Sequence, residues 1–167
     1  MDLYLMRHGE ALTKAEAKVG TDTQRPLSSA GIEVVRGVAQ RMKSLIAGHV
    51  DLILSSSLIR AMQTAQLMGR ALGCDDRIEV CRMLLPDADP EQLLDRLRGL
   101  NQQAVVLAVG HQPLLGRIAT QLALGAAVDS FNFKPAGIAW LELPEFPRTL
   151  DALLRGFWNP EIVLRED

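Results

Sequence analysis

Cysteine is scarce and unpaired in this chain. Cys74 and Cys81 are the only two, with no second pair and no CxxC, a pattern that suits neither a disulfide framework nor a zinc site and makes a reducing cytoplasm the simplest compartment. Long apolar runs are missing as well. No stretch approaches the length of a membrane span, and the opening Met1-Asp2-Leu3-Tyr4-Leu5-Met6-Arg7 carries neither a basic leader before an apolar core nor a small-residue cleavage site, so it does not read as a signal peptide. A basic surplus is also absent. Eighteen Lys and Arg against twenty Asp and Glu give a net charge of -2, which argues against a general nucleic-acid binder, because phosphate-backbone binding needs a basic surface to release counterions. Any anion site must therefore be a local cluster of arginines. Internal repeats and low-complexity tracts are lacking.

What remains is an ordinary globular balance, 48% hydrophobic and 23% charged over 167 residues. That length is enough for one buried core, and a single domain over 1–167 is expected. Leu3 to Met6 is apolar on successive positions, as a strand buried on both faces of a parallel sheet would be. After a polar loop, Ser28 or Ser29 can cap a helix whose stripe is Ile32, Val35, Ala39, Met42 and Ile46, with Gly48 at its end. Asp51 to Leu54 reads as a second strand, Leu58 to Leu72 as a helix stopped by Gly73, and Ile78 to Cys81 as a third strand. Pro90 opens a helix with Leu93, Leu94 and Leu97, Ala104 to Val109 is a strongly apolar strand, and Pro113 opens a helix ending near Gly125. Gly137 to Leu143 and a segment near Leu150 to Trp158, separated by a turn with Pro144 and Pro147, suggest a closing hairpin. Alternating strands and helices imply an α/β fold, a three-layer α/β/α sandwich around a mainly parallel sheet.

Ligands of such sheets sit beyond the carboxyl ends of the strands, where this sequence places its polar residues. His8 follows the first strand, Arg60 lies just past the second, and His111 directly follows the strand ending at Val109. A neutral histidine has a free nitrogen that can attack phosphorus when a neighbour fixes its tautomer. Arginine forks match the oxygens of a transferring phosphoryl group, making Arg7, Arg25 and Arg60 candidates. Arg60 stands out because the first turn of a helix is the wrong place for a cation unless an anion also sits there. Gly9 would let the backbone turn and approach a ligand closely. Taken alone, each of these residues has a plainer reading as a surface arginine, a turn glycine or a packed histidine; their convergence on one edge argues for the functional one. His49 is assigned no role. Two histidines with Glu10 or Asp22 could hold zinc, but no HExxH-like spacing occurs and several arginines would repel a cation. No metal or other cofactor is called for.

Four segments resemble a known family. Arg7-His8-Gly9-Glu10-Ala11 resembles the RHG signature of the histidine phosphatases, the phosphoglycerate mutase-like superfamily. Ser55-Ser56-Ser57-Leu58-Ile59-Arg60-Ala61-Met62-Gln63-Thr64-Ala65 is similar to its SSPLxRAxQTA element, with Ser57 in place of proline, and Val109-Gly110-His111-Gln112-Pro113 to the segment around its second histidine. Arg25-Pro26-Leu27-Ser28 and Gly31 resemble the RPLT-x-x-G stretch of the SixA-like phosphohistidine phosphatases. The resemblance implies that His8 accepts the phosphoryl group, that Arg7, Arg60 and His111 bind it, and that Arg25 is an additional phosphate contact. It also implies hydrolysis through a phosphohistidine on His8, with a phosphohistidine-bearing protein as substrate and partner. Gly73 to Ala104 leaves no room for the helical cap that small-molecule members insert there. Many members carry a glutamate acid after the third strand where this chain has Met83, leaving Glu10, Asp22 and Asp87 as distant alternatives. The competing readings are a small-molecule phosphomonoesterase and a non-catalytic phosphate-binding docking module.

Overall fold

The computed structural model describes residues 1–46, 49–125, 131–144 and 151–164. Six strands form one sheet: β1 (Asp2–Arg7), β2 (Leu52–Ser55), β3 (Ile78–Val80), β4 (Val105–Gly110), β5 (Ile138–Glu142) and β6 (Leu153–Trp158), in the order β3-β2-β4-β1-β5-β6. The first four are mutually parallel, while β5 joins β1 antiparallel and pairs antiparallel with β6. The sheet is therefore mainly parallel with a closing hairpin, as the sequence predicts.

The interior positions of the central strands are apolar because both faces are covered. Leu3 and Leu5 of β1, Leu54 of β2 and Val106 and Ala108 of β4 pack on one side with α4 (Pro90–Arg98) and α5 (Leu114–Leu124). Tyr4, Met6, Ile53, Leu107 and Val109 pack on the other with α2 (Ser29–Leu45) and α3 (Ile59–Leu72). The period of two along each strand sends alternate side chains to opposite layers. The result is the three-layer sandwich, and between β3 and β4 only α4 and one short 3₁₀ turn, Arg82–Leu84, occur, with no cap.

Local chemistry sets the helix ends. Ser28 caps α2 by accepting the Gly31 N–H at 2.9 Å, a contact whose loss costs about 1 kcal/mol. Gly73 and Gly125 end α3 and α5 with left-handed φ values of 73° and 62°. The buried stripe of α2 differs from the predicted one: Gly31, Val35, Val38, Ala39 and Met42 are buried, whereas Ile32 is half-exposed. The helix lies rotated by part of a turn because Gly31 fits directly on the loop after β1, where a Cβ would come within 2.2 Å of the Glu10 carbonyl. Asp51 precedes β2 rather than starting it; its carboxylate accepts the Val105 N–H at 2.8 Å. Pro113 is the residue before α5, not part of its first turn. The polar loop contains a short helix, α1 (Lys14–Ala17), held by a capping box between Thr13 and Glu16. Gly48, Leu150 and Pro147 lie outside the described residues. Among the described residues no helix is long and apolar enough to cross a membrane.

Candidate active site

Three strand ends meet. The β1–β4 register sets Arg7 beside Gly110 and the β2–β4 register sets Ser55 beside Val109, so the next residues in each segment are His8, His111 and Ser56. Backbone bonds extend the register past the strands: the His8 N–H donates to the Gly110 carbonyl at 3.1 Å and the Ser56 N–H to the Val109 carbonyl at 3.0 Å. The His8 and His111 rings stand 5.0 Å apart, tilted by 57°.

His8 has a defined tautomer. Its Nδ1 lies 2.6 Å from the Gly9 carbonyl, and because a carbonyl only accepts, Nδ1 carries the proton and Nε2 the lone pair. Arg60 Nε donates to that Nε2 at 3.2 Å. Burial lowers the His8 pKa to about 4; the Gly9 carbonyl opposes this, and the charges of Arg60, Arg7 and Arg25 add to it. The ring is therefore a free base at neutral pH. His111 is buried, with its Nε2 2.8 Å from Ser56 Oγ. Burial lowers its pKa to about 3, with His8, Arg60 and Arg7 acting in the same sense and Asp22 opposing.

The arginines surround this pair. Arg60, 5% exposed in the first turn of α3, donates Nη1 to the Asp22 carbonyl at 2.8 Å and Nη2 to Asp22 Oδ2 at 2.9 Å. The anion that this helix start calls for is thus the chain's own carboxylate. One turn on, Thr64 Oγ1 donates to the Arg60 carbonyl at 2.7 Å and accepts the Gly9 N–H at 3.1 Å. Arg7 donates Nη1 to the Phe133 carbonyl at 2.7 Å, and its buried Nε has no protein partner. Burial, then the charge of Arg60, lowers the Arg7 pKa. A buried N–H without a protein acceptor is a donor suited to a bound oxyanion.

Comparison with known proteins gives this arrangement a family. The model of the histidine phosphatase superfamily (branch 1) matches residues 3–84. A phosphohistidine phosphatase SixA homolog of Haemophilus influenzae is 30% identical over 149 residues, covering 84% of this chain and 87% of that protein. Phosphohistidine phosphatase SixA of Escherichia coli K12 is 30% identical over 134 residues, covering 79% of this chain and 80% of its own length. The solved structure of the protein histidine phosphatase SixA complexed with tungstate superposes with a TM-score of 0.85 at 27% identity, covering 98% of this chain and 99% of that one. This chain belongs to the histidine phosphatase superfamily, in its SixA-like branch. It is a hydrolase of that type.

Within this histidine phosphatase, the structure brings His8, Arg7, Arg60 and His111 together, as their positions at strand ends predict. Arg25 is placed differently. Its Nε donates to the Leu12 carbonyl at 2.5 Å and its Nη1 pairs with Asp22 Oδ1 at 2.7 Å, so Arg25 touches Asp22 and reaches His8 only through its charge. Gly9 also has another reason than ligand approach: a Cβ there would stand 2.6 Å from Val35 Cγ2, so it is small because α2 packs against it.

The alternative acids fare unequally. Glu10 is exposed and accepts from Ser28 Oγ at 3.0 Å. Asp22 is held ionised, its pKa lowered by hydrogen bonds from Arg25 and then Arg60 despite some desolvation, which makes it a poor proton donor. Asp87 is exposed. Met83, on the 3₁₀ turn Arg82–Leu84, packs against the α4–α5 core. Among the described residues no group of three or more His, Cys, Asp or Glu could hold a metal. Sequence reading missed three partners: the Asp22 clamp, Ser56 and Thr64. Only Thr64 had a local signal, lying four residues after Arg60 on one helix face.

Proposed function

We propose that this chain removes the phosphoryl group from phosphohistidine on a protein partner, without a metal, through a covalent phosphohistidine on His8. The observation that carries the reading is the 2.6 Å contact of His8 Nδ1 with the Gly9 carbonyl, which leaves Nε2 as the free nucleophile. In the first step Nε2 forms a bond to phosphorus as the bond from phosphorus to the substrate ring breaks. With its second ring nitrogen protonated, the substrate leaves as neutral imidazole. Arg60 Nε, freed from Nε2 as that lone pair engages phosphorus, and the unpartnered Arg7 Nε stabilise the equatorial oxygens. Water then attacks phosphorus, the bond to His8 breaks, and inorganic phosphate leaves with His8 restored.

The substrate assignment rests on what the site does not supply. An alkyl phosphate leaves as a strongly basic alkoxide unless an acid protonates it, and the carboxylate nearest the arginines, Asp22, is locked as an anion. Imidazole, with a conjugate-acid pKa of about 6.5, needs no such help. The absence of a cap leaves the strand ends open to a side chain of another protein, and the phosphohistidine phosphatase names of the SixA relatives point the same way.

The test is phosphate release from a phosphohistidine-bearing domain, nitrophenyl phosphate and phosphoglycerate by the purified protein. The first two are expected to turn over and the third to remain nearly untouched. Efficient hydrolysis of phosphoglycerate would overturn the reading. Quenching turnover with alkaline detergent should trap a base-stable, acid-labile phosphoryl-enzyme that His8→Ala lacks.

A further inference from the structure

Ser56 is wholly buried at the end of β2, and its hydroxyl meets two partners. It accepts the Leu58 N–H at 3.4 Å and lies 2.8 Å from His111 Nε2. His111 is 2% exposed, and its other nitrogen, Nδ1, is buried without a protein partner. A neutral imidazole carries a single N–H. If that proton were on Nε2 it would donate to Ser56 Oγ, and the hydroxyl proton of Ser56 would be buried with no acceptor among its hydrogen-bond partners. The Nδ1 lone pair would also be buried unmet. Each such loss costs about 1–3 kcal/mol. With the proton on Nδ1, the Ser56 hydroxyl donates to Nε2 while still accepting from Leu58, and a single unsatisfied group remains: the Nδ1–H. A second buried donor without a partner, Arg7 Nε, sits on the side chain whose charge acts on both His8 and His111.

We infer that Ser56 is a positioning residue that fixes His111 as the Nδ1–H tautomer, so that His111 serves the phosphoryl oxygens as a neutral hydrogen-bond donor. The inference deepens the phosphatase reading and rests on it for the identity of the acceptor, though not for the tautomer. In the opposite tautomer a lone pair would face a phosphoryl dianion, and only a protonated ring could bind it. The serine thereby lets a site crowded with arginine charge recruit a further donor without adding another cation to it. Ser56 touches no reacting atom in this scheme and acts through His111 alone.

The test is nitrogen-15 NMR of the imidazole signals at pH 7.5, with His111 assigned by its loss in His111→Asn. The wild type should show a protonated Nδ1 and a hydrogen-bonded, unprotonated Nε2, and inorganic phosphate should shift the Nδ1–H proton downfield. A protonated Nε2 in the wild type overturns the inference without recourse to any variant. Ser56→Ala should move the tautomer toward Nε2–H and lower kcat on a phosphohistidine domain by about tenfold or more, with a smaller change in KM. Loss of rate with an unchanged tautomer would assign Ser56 a merely structural role, and a changed tautomer with unchanged rate would remove its mechanistic consequence; either overturns the inference. If no substrate turns over but the wild-type tautomer is Nδ1–H and responds to phosphate, the phosphatase reading fails while the tautomer assignment stands.

Discussion

At the amino end of β4, His49 stands in solvent with its Nε2 2.8 Å from Asp51 Oδ1, its side chain 58% exposed, while Arg77 donates to the Val50 carbonyl at 2.8 Å beside it. At the carboxyl end of the same strand, His8 and His111 stand among arginines, His111 buried and His8 partly buried. The first histidine has a carboxylate in contact and water around it. The second pair has no carboxylate in contact, and desolvation holds both rings in the free-base form, with pKa values lowered to about 4 and 3. The same side chain is thus an exposed contact of a carboxylate at one end of the sheet and a neutral imidazole among arginines at the other. What separates them is burial without a carboxylate in contact with the ring.

The largest break in that comparison is His8→Ala. It should abolish turnover, by about a thousandfold or more, in a protein whose circular dichroism is unchanged. Substantial residual rate in a folded variant would remove His8 as the nucleophile. Arg7→Lys and Arg60→Lys should each cost about a hundredfold in kcat, because a point charge cannot copy the guanidinium fork. Near-normal rates in both would reduce the arginines to general positive charge.

The lowered histidine pKa values also set a direction for stability. In unfolded chain the rings have a pKa of about 6.5 and bind protons more readily than in the fold, so their contribution is fully present above that pH and is lost as pH falls toward about 4. Urea midpoints at pH 7.5 and 5.0 should differ by the equivalent of roughly 2 kcal/mol for each ring, about 4 kcal/mol for both, and His8→Ala should shrink the difference. A midpoint that rises on acidification would contradict the sign.

Smaller effects sharpen the contrast. Asp22→Asn removes a negative charge beside Arg60 and Arg25, so inhibition by tungstate should strengthen about threefold through lost repulsion with the oxyanion. Unchanged or weaker inhibition would show that the carboxylate serves only to hold Arg60 in place. His49→Ala, at the other end, should leave turnover unchanged and shift stability by less than about 0.5 kcal/mol. A loss of activity there would mean that the two ends are coupled.

The strands were legible because residues buried on both faces must be apolar, and Leu3 to Met6 of β1 and Val105 to Val109 of β4 are. The convergence of His8, Arg60 and His111 was legible because parallel strands deliver their carboxyl ends to one edge. The stripe of α2 was read with Ile32 where Val38 belongs, since periodicity reports the angle of a face and not which neighbour it meets. The pairing of Arg25 with Asp22 is not legible, because an arginine next to a proline carries no sign of a carboxylate folding back onto it.

By itself, the sequence determined the α/β alternation, the capped helix starts and the family, which reside in local pattern and in short motifs. The tertiary structure alone decided the strand order, the seating of Asp22 on an arginine 38 residues away, and the pairing of Ser56 with a histidine 55 residues away. It also decided that both site histidines are free bases. Those outcomes depend on desolvation and on distances between segments remote in the chain, which composition and spacing do not encode.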